Sequence, residues 1–287
     1  MRFERVLLAL FLVLFAGIAS AQRFVLAPLS PPPPPPHGPT CWPPTPAGLA
    51  TWWTFDEPAG TTSSDFGGAV NNMGTDHGTI PRVTGQAGRA LSFDGTAKWI
   101  EVPDHPEVNF MGDCAADAGE SGTINFWVRT TRNVGVATIL DKRDTSGGNF
   151  IRGYSVYLWN GHLGFQIATG PGNLLCNSPG SACTNSIATP LPSVADGKWH
   201  FVAISFARCK VATGLFYVDG QTMPFTLRIG DMTSTSNLVI GRLSPSLGTQ
   251  FFAGEVDELD FFKNALTALD LDQLSGPRTA GMCPYIY

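Results

Sequence analysis

The chain has 287 residues, of which 32 are Gly and 23 are Pro, and only 14% are charged. This composition is typical of a loop-rich β protein, because globular chains usually carry about 25% charged residues and less glycine. Lys and Arg total 18 against 23 Asp and Glu, which gives a net charge of −5 without a long basic run. We therefore expect no nucleic-acid binding, since phosphate recognition needs clustered positive charge. A hydrophobic content of 43% excludes disorder throughout the chain.

The first 21 residues have the pattern of a secretory signal peptide. Arg2 and Arg5 precede an apolar run over residues 6–15, and the small residues 19–21 form a cleavage site. The apolar run is shorter than the roughly 20 residues that a membrane-spanning helix needs, and no later segment is apolar enough. We therefore expect a secreted protein, extracellular or in a periplasm or cell envelope, with no transmembrane segment after cleavage.

Residues 22–47 are predicted to be a proline-rich linker. Residues 31–36 are six consecutive prolines, and such a run forms stiff, extended polyproline II without a core of its own. We interpret it as a spacer before a folded domain over residues 48–275. Residues 276–287 then form a C-terminal tail that contains one cysteine.

Six cysteines follow the predicted cleavage site, and an even number in an exported chain favours disulfides over metal thiolates. The predicted pairs are Cys176 with Cys183, which flank one short loop, Cys41 with Cys283, at the two ends of the globular region, and Cys114 with Cys209, which remain. Six cysteines allow 15 pairings, so this connectivity is a hypothesis and other linkages stay open.

From residue 50 onward the sequence alternates β-rich runs with turn signals. The predicted strands are residues 50–55, 97–102, 123–129, 136–140, 154–159, 162–168, 199–206, 215–218, 238–240 and 251–262. Asn160-Gly161 and Asp219-Gly220 predict two-residue hairpin turns, because these residue types tolerate positive φ angles.

One short helix is predicted near the C-terminus. Thr267 is its N-cap, Asp270 reaches back to complete a capping box, and Gly276 follows the end. One short helix cannot cover a sheet, so two antiparallel sheets must cover each other. The fold class is therefore all-β, a two-sheet antiparallel β-sandwich of jelly-roll type with about ten to fourteen strands. Phe126, Trp127 and Trp199 are expected to fill the core between the sheets.

An ordered set of segments carries a family resemblance. The segments are residues 53–57, 88–95, 99–104, 123–128, 196–202, 215–220, 238–241 and 254–259. Together they closely resemble the laminin-G-like jelly-roll family of the concanavalin A-like lectin/glucanase superfamily, over about residues 48–275. The resemblance implies a concanavalin A-like sandwich that binds an extracellular ligand.

The resemblance also implies a calcium ion in many members, held by acids near the first and last strands. The matching positions here are Asp56 and Asp257, with Asp65 and Asn72 as further oxygen donors. Calcium takes six to eight oxygen ligands at about 2.3–2.6 Å, which one Asp pair cannot supply. The alternative is that these acids accept hydrogen bonds from turns. We expect any calcium ion to be structural.

A catalytic alternative comes from the sequence Glu-Val-Asp-Glu-Leu-Asp at residues 255–260. It resembles the E-x-D-x-x-E motif of retaining β-glucanases, in which one strand carries the nucleophile and the acid/base. A bulged strand can bring Glu255 and Asp260 to one face, with Asp257 between them. The last position is Asp instead of Glu, which shortens the reach by one methylene group. Hydrolysis therefore ranks below binding.

The best candidate ligand site is a hairpin tip with an aromatic platform and planar hydrogen-bonding side chains, which sugars need. Its residues are Trp159, Asn160 and His162, with Tyr157 and Arg152 nearby; the alternative is that the tryptophan is core and the histidine a surface residue. The first interpretation is a secreted, non-catalytic binding module for carbohydrate or an extracellular protein. The alternatives are a retaining glycoside hydrolase and a structural or adhesive domain.

Overall fold

The computed structural model describes residues 46–68, 71–110, 121–144, 150–171, 183–207, 213–226, 232–245, 247–248 and 250–276. The predicted signal peptide and nearly all of the proline-rich linker lie outside these residues. Each predicted disulfide has at least one cysteine outside them as well, so the three pairings stay predictions. Within the described part of the chain, no helix is long and apolar enough to cross a membrane.

The described residues form sixteen strands and one α-helix. In chain order the strands are β1 (Leu49–Trp53), β2 (Thr62–Ser63), β3 (Gly74–His77), β4 (Arg82–Thr84), β5 (Arg89–Asp94), β6 (Trp99–Val102), β7 (Ser121–Arg129), β8 (Val136–Asp141), β9 (Phe150–Trp159), β10 (His162–Pro171), β11 (Cys183–Ile187), β12 (Trp199–Ala207), β13 (Thr213–Val218), β14 (Gln221–Thr226), β15 (Leu238–Ile240) and β16 (Ala253–Phe262). The helix α1 spans Ala268–Ser275. All ten predicted strands are confirmed.

The strands make two antiparallel sheets of eight strands each. Sheet 1 has the order β14-β13-β12-β7-β16-β5-β4, with β1 also paired to β16, and sheet 2 has the order β11-β10-β9-β8-β15-β6-β3-β2. In sheet 1, β16 pairs with β5 through residues 253–256 and with β1 through residues 259–262. A bulge between Asp257 and Asp260 separates the two halves, with Glu258 at φ 51°. The predicted all-β, two-sheet sandwich with one C-terminal helix is confirmed, and its sixteen strands exceed the ten to fourteen expected.

The main core lies between the sheets. Ile124, Phe126 and Val128 of β7 are 0% exposed and pack there, as strand alternation predicts. The opposite face of sheet 1 carries a second apolar cluster, which includes Trp127 and leucines of α1. The expectation that Trp127 and Trp199 fill the core between the sheets is wrong, because both belong to this outer cluster. Phe126 and Val128 on either side of Trp127 point into the core, so Trp127 points to the opposite face, where it clusters with leucines of α1.

The predicted turns and helix cap are confirmed. Asn160 and Gly161 have φ angles of 49° and 81°, and Asp219 and Gly220 have 47° and 85°, as tight hairpin turns require. At the start of α1, the Thr267 hydroxyl accepts from the Asp270 amide at 3.2 Å, and the Asp270 carboxylate accepts from the Thr267 amide at 2.8 Å. Local sequence signals therefore determine the positions of both hairpin turns and of the start of the helix.

Candidate functional site

A cleft of about 650 Å³ opens on the outer face of sheet 2. Val156 and Leu158 of β9 point into the core, so Ser155, Tyr157 and Trp159 point the other way, toward the cleft. The cleft is lined by Val136, Thr138, Arg143, Ser155, Tyr157, Trp159, Gln166, Asn185, Ile187, Leu243, Leu247 and Gln250. A cleft of this size is within the range of small-molecule sites.

One row of polar residues crosses four strands at the floor of the cleft. The register pairs Asp141 of β8 with Ser155 of β9, Ser155 with Gln166 of β10, and Gln166 with Asn185 of β11. Neighbouring strands lie about 4.8 Å apart, so these four side chains form a continuous polar row. The register of sheet 2 therefore collects residues that are up to 44 positions apart in the chain.

Arg143 is held in this row by a buried ion pair. Its Nε donates to Asp141 Oδ2 at 2.8 Å, and its Nη2 lies 2.6 Å from the same oxygen. Its Nη1 donates to Gln166 Oε1. Arg143 is 4% exposed and Asp141 is 0% exposed. The guanidinium is therefore rigidly oriented, because bonds on two sides fix its plane.

A second row places an aromatic ring beside the polar one. Thr138, Tyr157, Gly164 and Ile187 are successive partners across β8 to β11. The Tyr157 hydroxyl donates to Asn185 Oδ1, so the ring reaches over the intervening strand. A Cβ at Gly164 would lie 2.4 Å from two ring carbons of Tyr157, and only glycine leaves room for the ring. Burial raises the pKa of Tyr157 to about 12, so it is a neutral donor at physiological pH.

The opposite wall of the cleft comes from the segment after β15. Leu243, Leu247 and Gln250 belong to this wall. Arg242 holds the segment, because its Nε donates to the Leu243 carbonyl at 2.9 Å and its Nη2 to the Gly248 carbonyl at 3.0 Å. The guanidinium also lies 5.1 Å from the ring centroid of Trp99, a cation–π contact. The wall is therefore anchored to the sheet.

The structure separates the five predicted ligand residues. Tyr157 and Trp159 line the cleft, and Trp159 is 42% exposed. Asn160 Oδ1 accepts from the Gly135 amide at 2.8 Å, and His162 Nδ1 lies 3.1 Å from the Leu191 carbonyl. Arg152 is exposed near the other end of β9, where its backbone bridges Asp144. Besides the two aromatic residues, the lining uses Arg143, Gln166 and Asn185, which sequence reasoning missed.

One signal in the sequence points to one of the missed residues. Gln166 interrupts the apolar run from Phe165 to Ala168 in β10, and a polar residue at a buried strand position often marks a site. Asn185 lies on an edge strand that carries no apolar pattern. Arg143 follows the end of β8, where a charged residue is unremarkable in sequence.

The predicted calcium ligands fall into two groups. Asp257 Oδ2 accepts from the amides of Gln86 and Ala87 at 2.8 and 2.9 Å, and Asp56 Oδ1 accepts from the Arg89 amide at 2.6 Å. Both carboxylates thus hold the turn between β4 and β5. Burial raises the pKa of Asp257 to about 8 and also raises that of Asp56.

Asp65 and Asn72 form the second group. Asp65 Oδ1 accepts from the Trp52 and Gly67 amides at 2.7 and 2.8 Å, and its Oδ2 accepts from the Asn72 side-chain amide at 2.8 Å. The described residues contain no cluster of three or more His, Cys, Asp or Glu that could hold a metal ion. These donor sets do not fit a calcium site with six to eight oxygen ligands. Calcium binding stays untested, and these four residues are not expected to form its site.

The candidate catalytic carboxylates are occupied by protein groups. Glu255 pairs with Arg129, and Asp260 Oδ2 accepts from Asn125 Nδ2 at 2.6 Å, while Asp257 holds the turn described above. Asp257 and Asp260 are 0% exposed, so no substrate reaches them in this structure. The bulge places Glu255, Asp257 and Asp260 on the outer face of sheet 1, whereas the cleft lies on sheet 2.

The cleft lining differs chemically from the candidate catalytic strand. Among the described residues, the lining contains one charged side chain, Arg143, and no carboxylate, whereas glycoside hydrolysis uses two carboxyl groups across the scissile bond. Its walls are aromatic and aliphatic, and its floor carries fixed hydrogen-bonding groups. Two antiparallel sheets packed face to face define a jelly-roll β-sandwich protein, here with a cleft on the outer face of sheet 2.

The amino-acid sequence identifies the family of this chain. The chain belongs to the concanavalin A-like lectin/glucanases superfamily, because a laminin-G family model with this description matches residues 94–272. The predicted family membership is confirmed. No sequence among the curated proteins matches this chain.

Solved structures with a similar fold include binding domains of other proteins. The binding domain of Paraclostridial Mosquitocidal Protein 1 has a TM-score of 0.60 and 15% identity, over 79% of this chain and 51% of that chain. The binding domain of botulinum neurotoxin DC in complex with SialylT has a TM-score of 0.54 and 15% identity, over 79% and 50%. The same domain in complex with rat synaptotagmin II has a TM-score of 0.54 and 16% identity, over 78% and 50%. This chain spans about half of their length, and identities this low show a shared fold alone.

Proposed function

We propose that this protein is an exported, non-catalytic binding module that binds a saccharide in the cleft of sheet 2. The observation that carries the proposal is the half-exposed Trp159 beside Tyr157, above a floor of fixed polar groups. A sugar ring needs an apolar platform for its C–H face and oriented partners for its hydroxyl groups. The cleft combines both in adjacent rows of strand neighbours.

Two further observations support binding over chemistry. In the described part of the cleft lining there is no carboxylate pair, and the candidate catalytic acids lie on the other sheet, where protein groups occupy them. The structural neighbours are binding domains, one of them in complex with SialylT and one with rat synaptotagmin II. A shared fold hosts many activities, so the cleft itself is what the experiment must address.

The test measures depletion of the mature, oxidised protein from solution by a panel of insoluble polysaccharides. We expect at least one polysaccharide to deplete the wild type and to bind Trp159→Ala about tenfold more weakly, because the platform is lost. The matched control is Phe66→Ala, which removes another exposed aromatic ring, 54% exposed and outside the cleft. This control is expected to bind like the wild type.

Three results would contradict the proposal. Equal depletion of Trp159→Ala and wild type would place binding elsewhere on the protein. Release of reducing ends into the supernatant would instead support the hydrolase alternative. Failure of every polysaccharide to deplete the wild type would support a protein-binding or structural domain.

A further inference from the structure

The net charge of the cleft floor is zero. Arg143 is the one charged residue among the described residues of the lining, and the Asp141 carboxylate neutralises it at 2.6–2.8 Å. Both residues are at least 96% buried, so solvent screens the pair little, and the Asp141 carboxylate offsets part of the Coulomb attraction that Arg143 offers an anion. An anionic ligand therefore gains less than at an unpaired arginine, and it would have to lose its hydration to enter.

The floor is nevertheless rich in hydrogen-bond donors. A guanidinium has five N–H groups, and Arg143 uses three of them on Asp141 and Gln166. Two remain for a ligand. The Asn185 oxygen is taken by the Tyr157 hydroxyl, which leaves the Asn185 amide group to donate. The ligand must therefore present a strong, uncharged acceptor to this part of the floor.

An apolar surface lies directly beside the Arg143 and Asn185 donors. Ile187 is two residues after Asn185 on the same face of β11, about 7 Å away, and both line the cleft. Val136 and Leu243 extend the apolar lining. A plain hexose would place hydroxyl groups against this surface, where they find no partner and lose hydration. A ligand that carries a carbonyl oxygen next to a methyl group matches both the donors and the apolar surface.

We propose that the cleft selects a 2-acetamido sugar, whose carbonyl oxygen accepts from Arg143 and Asn185 and whose methyl group packs against Ile187. Trp159, farther along β9, is then the platform for the next sugar of the polysaccharide. This inference rests on the proposed saccharide-binding function, and it names the class of sugar that the same site takes. Neutral acetamido sugars are preferred over both plain hexoses and uronic acids.

The test is displacement of the protein from the polysaccharide that depletes it. The competitors are glucose, galactose and mannose, each paired with its 2-acetamido derivative, together with glucuronic and galacturonic acid. We expect at least one acetamido sugar to displace the protein at a concentration about tenfold lower than its parent hexose. We expect the uronic acids to displace it no better than their parents.

A conservative variant tests the assignment of the donor. Asn185→Asp keeps an oxygen for the Tyr157 hydroxyl but removes the amide donor, so we expect the tenfold preference for the acetamido sugar to disappear while displacement by the parent hexose remains. Gln273→Glu adds the same charge on the exposed side of α1 and is expected to keep the preference. Far-UV circular dichroism melts of both variants establish that they fold.

The outcomes separate this inference from the proposed function. If each acetamido sugar and its parent displace the protein equally, or if uronic acids displace it best, the acetamido assignment is overturned and saccharide binding stands. If Asn185→Asp keeps the full preference, the assigned donor is wrong. If no polysaccharide depletes the wild-type protein, the proposed function fails and the inference fails with it.

Discussion

Removal of Arg143 should destabilise the protein strongly, because it leaves the Asp141 carboxylate buried without its cation. Asp141 is 0% exposed, and its Oδ2 accepts from the Arg143 guanidinium, while its Oδ1 accepts from the Arg143 backbone amide, which the variant keeps. Breaking a buried pair by removing one partner costs about 3–5 kcal/mol. In a domain of this size that corresponds to a fall in Tm of about 6–20 °C. Arg143→Met keeps most of the apolar volume of the side chain, so the loss is electrostatic.

The matched control is the double variant Asp141→Asn/Arg143→Met, which removes both charges. Replacement of a whole buried pair is often close to neutral, so we expect the double variant to recover most of the lost stability. Urea unfolding followed by far-UV circular dichroism measures both differences, with an unchanged m-value as the sign of an intact fold. A loss below about 1 kcal/mol in Arg143→Met, or a double variant as unstable as the single one, would refute the reasoning. Both variants are expected to lose saccharide binding.

Three further predictions address other parts of the molecule. Gly164→Ala should displace the Tyr157 ring, cost about 1–3 kcal/mol and abolish binding, whereas normal binding by a folded variant would show that the ring position is irrelevant. Burial alone would lower the pKa of His200, but hydrogen bonds to Asp196 and Asp219 raise it above 6.5. The stabilisation of the folded state by protonated His200 is therefore complete below pH 6.5 and is lost as the pH rises through the raised pKa. The free energy of unfolding of His200→Gln should therefore depend less on pH than that of the wild type between pH 6 and 8. Chelator should leave the Tm unchanged, since the predicted calcium ligands already accept hydrogen bonds within the protein, and a lower Tm in chelator would instead establish a structural ion.

The strands that the sequence did not predict are short or lie at or near sheet edges. β2, β3 and β4 have two to four residues each, too few to show an alternating pattern. β14 contains Pro224, which an edge strand tolerates because its outer side needs no N–H donor. Backbone pairing with a neighbour that is already in place, and not side-chain pattern, makes these segments strands.

Only part of the cleft lining could be predicted from the sequence, because the rest depends on strand pairing. Tyr157 and Trp159 could be found because they alternate with core residues next to a clear hairpin turn. Asn185 and Arg143 could not, because their role depends on the pairing of β8 with β9 and of β10 with β11. Local sequence carries no information about which distant residue will lie opposite.

The sequence by itself determined the fold class, the order of ten strands, the two tight turns and the helix cap. Each of these depends on alternation, backbone conformation or capping within a few residues of chain, so local physical chemistry is sufficient. Only the tertiary structure decided which face of each sheet is covered and which polar groups meet. Helix α1 buries Trp127 on the outer face of sheet 1, while sheet 2 leaves Trp159 half open above a neutral, donor-rich floor. That difference depends on contacts between residues far apart in sequence, whose strand register is set only when the sheets assemble.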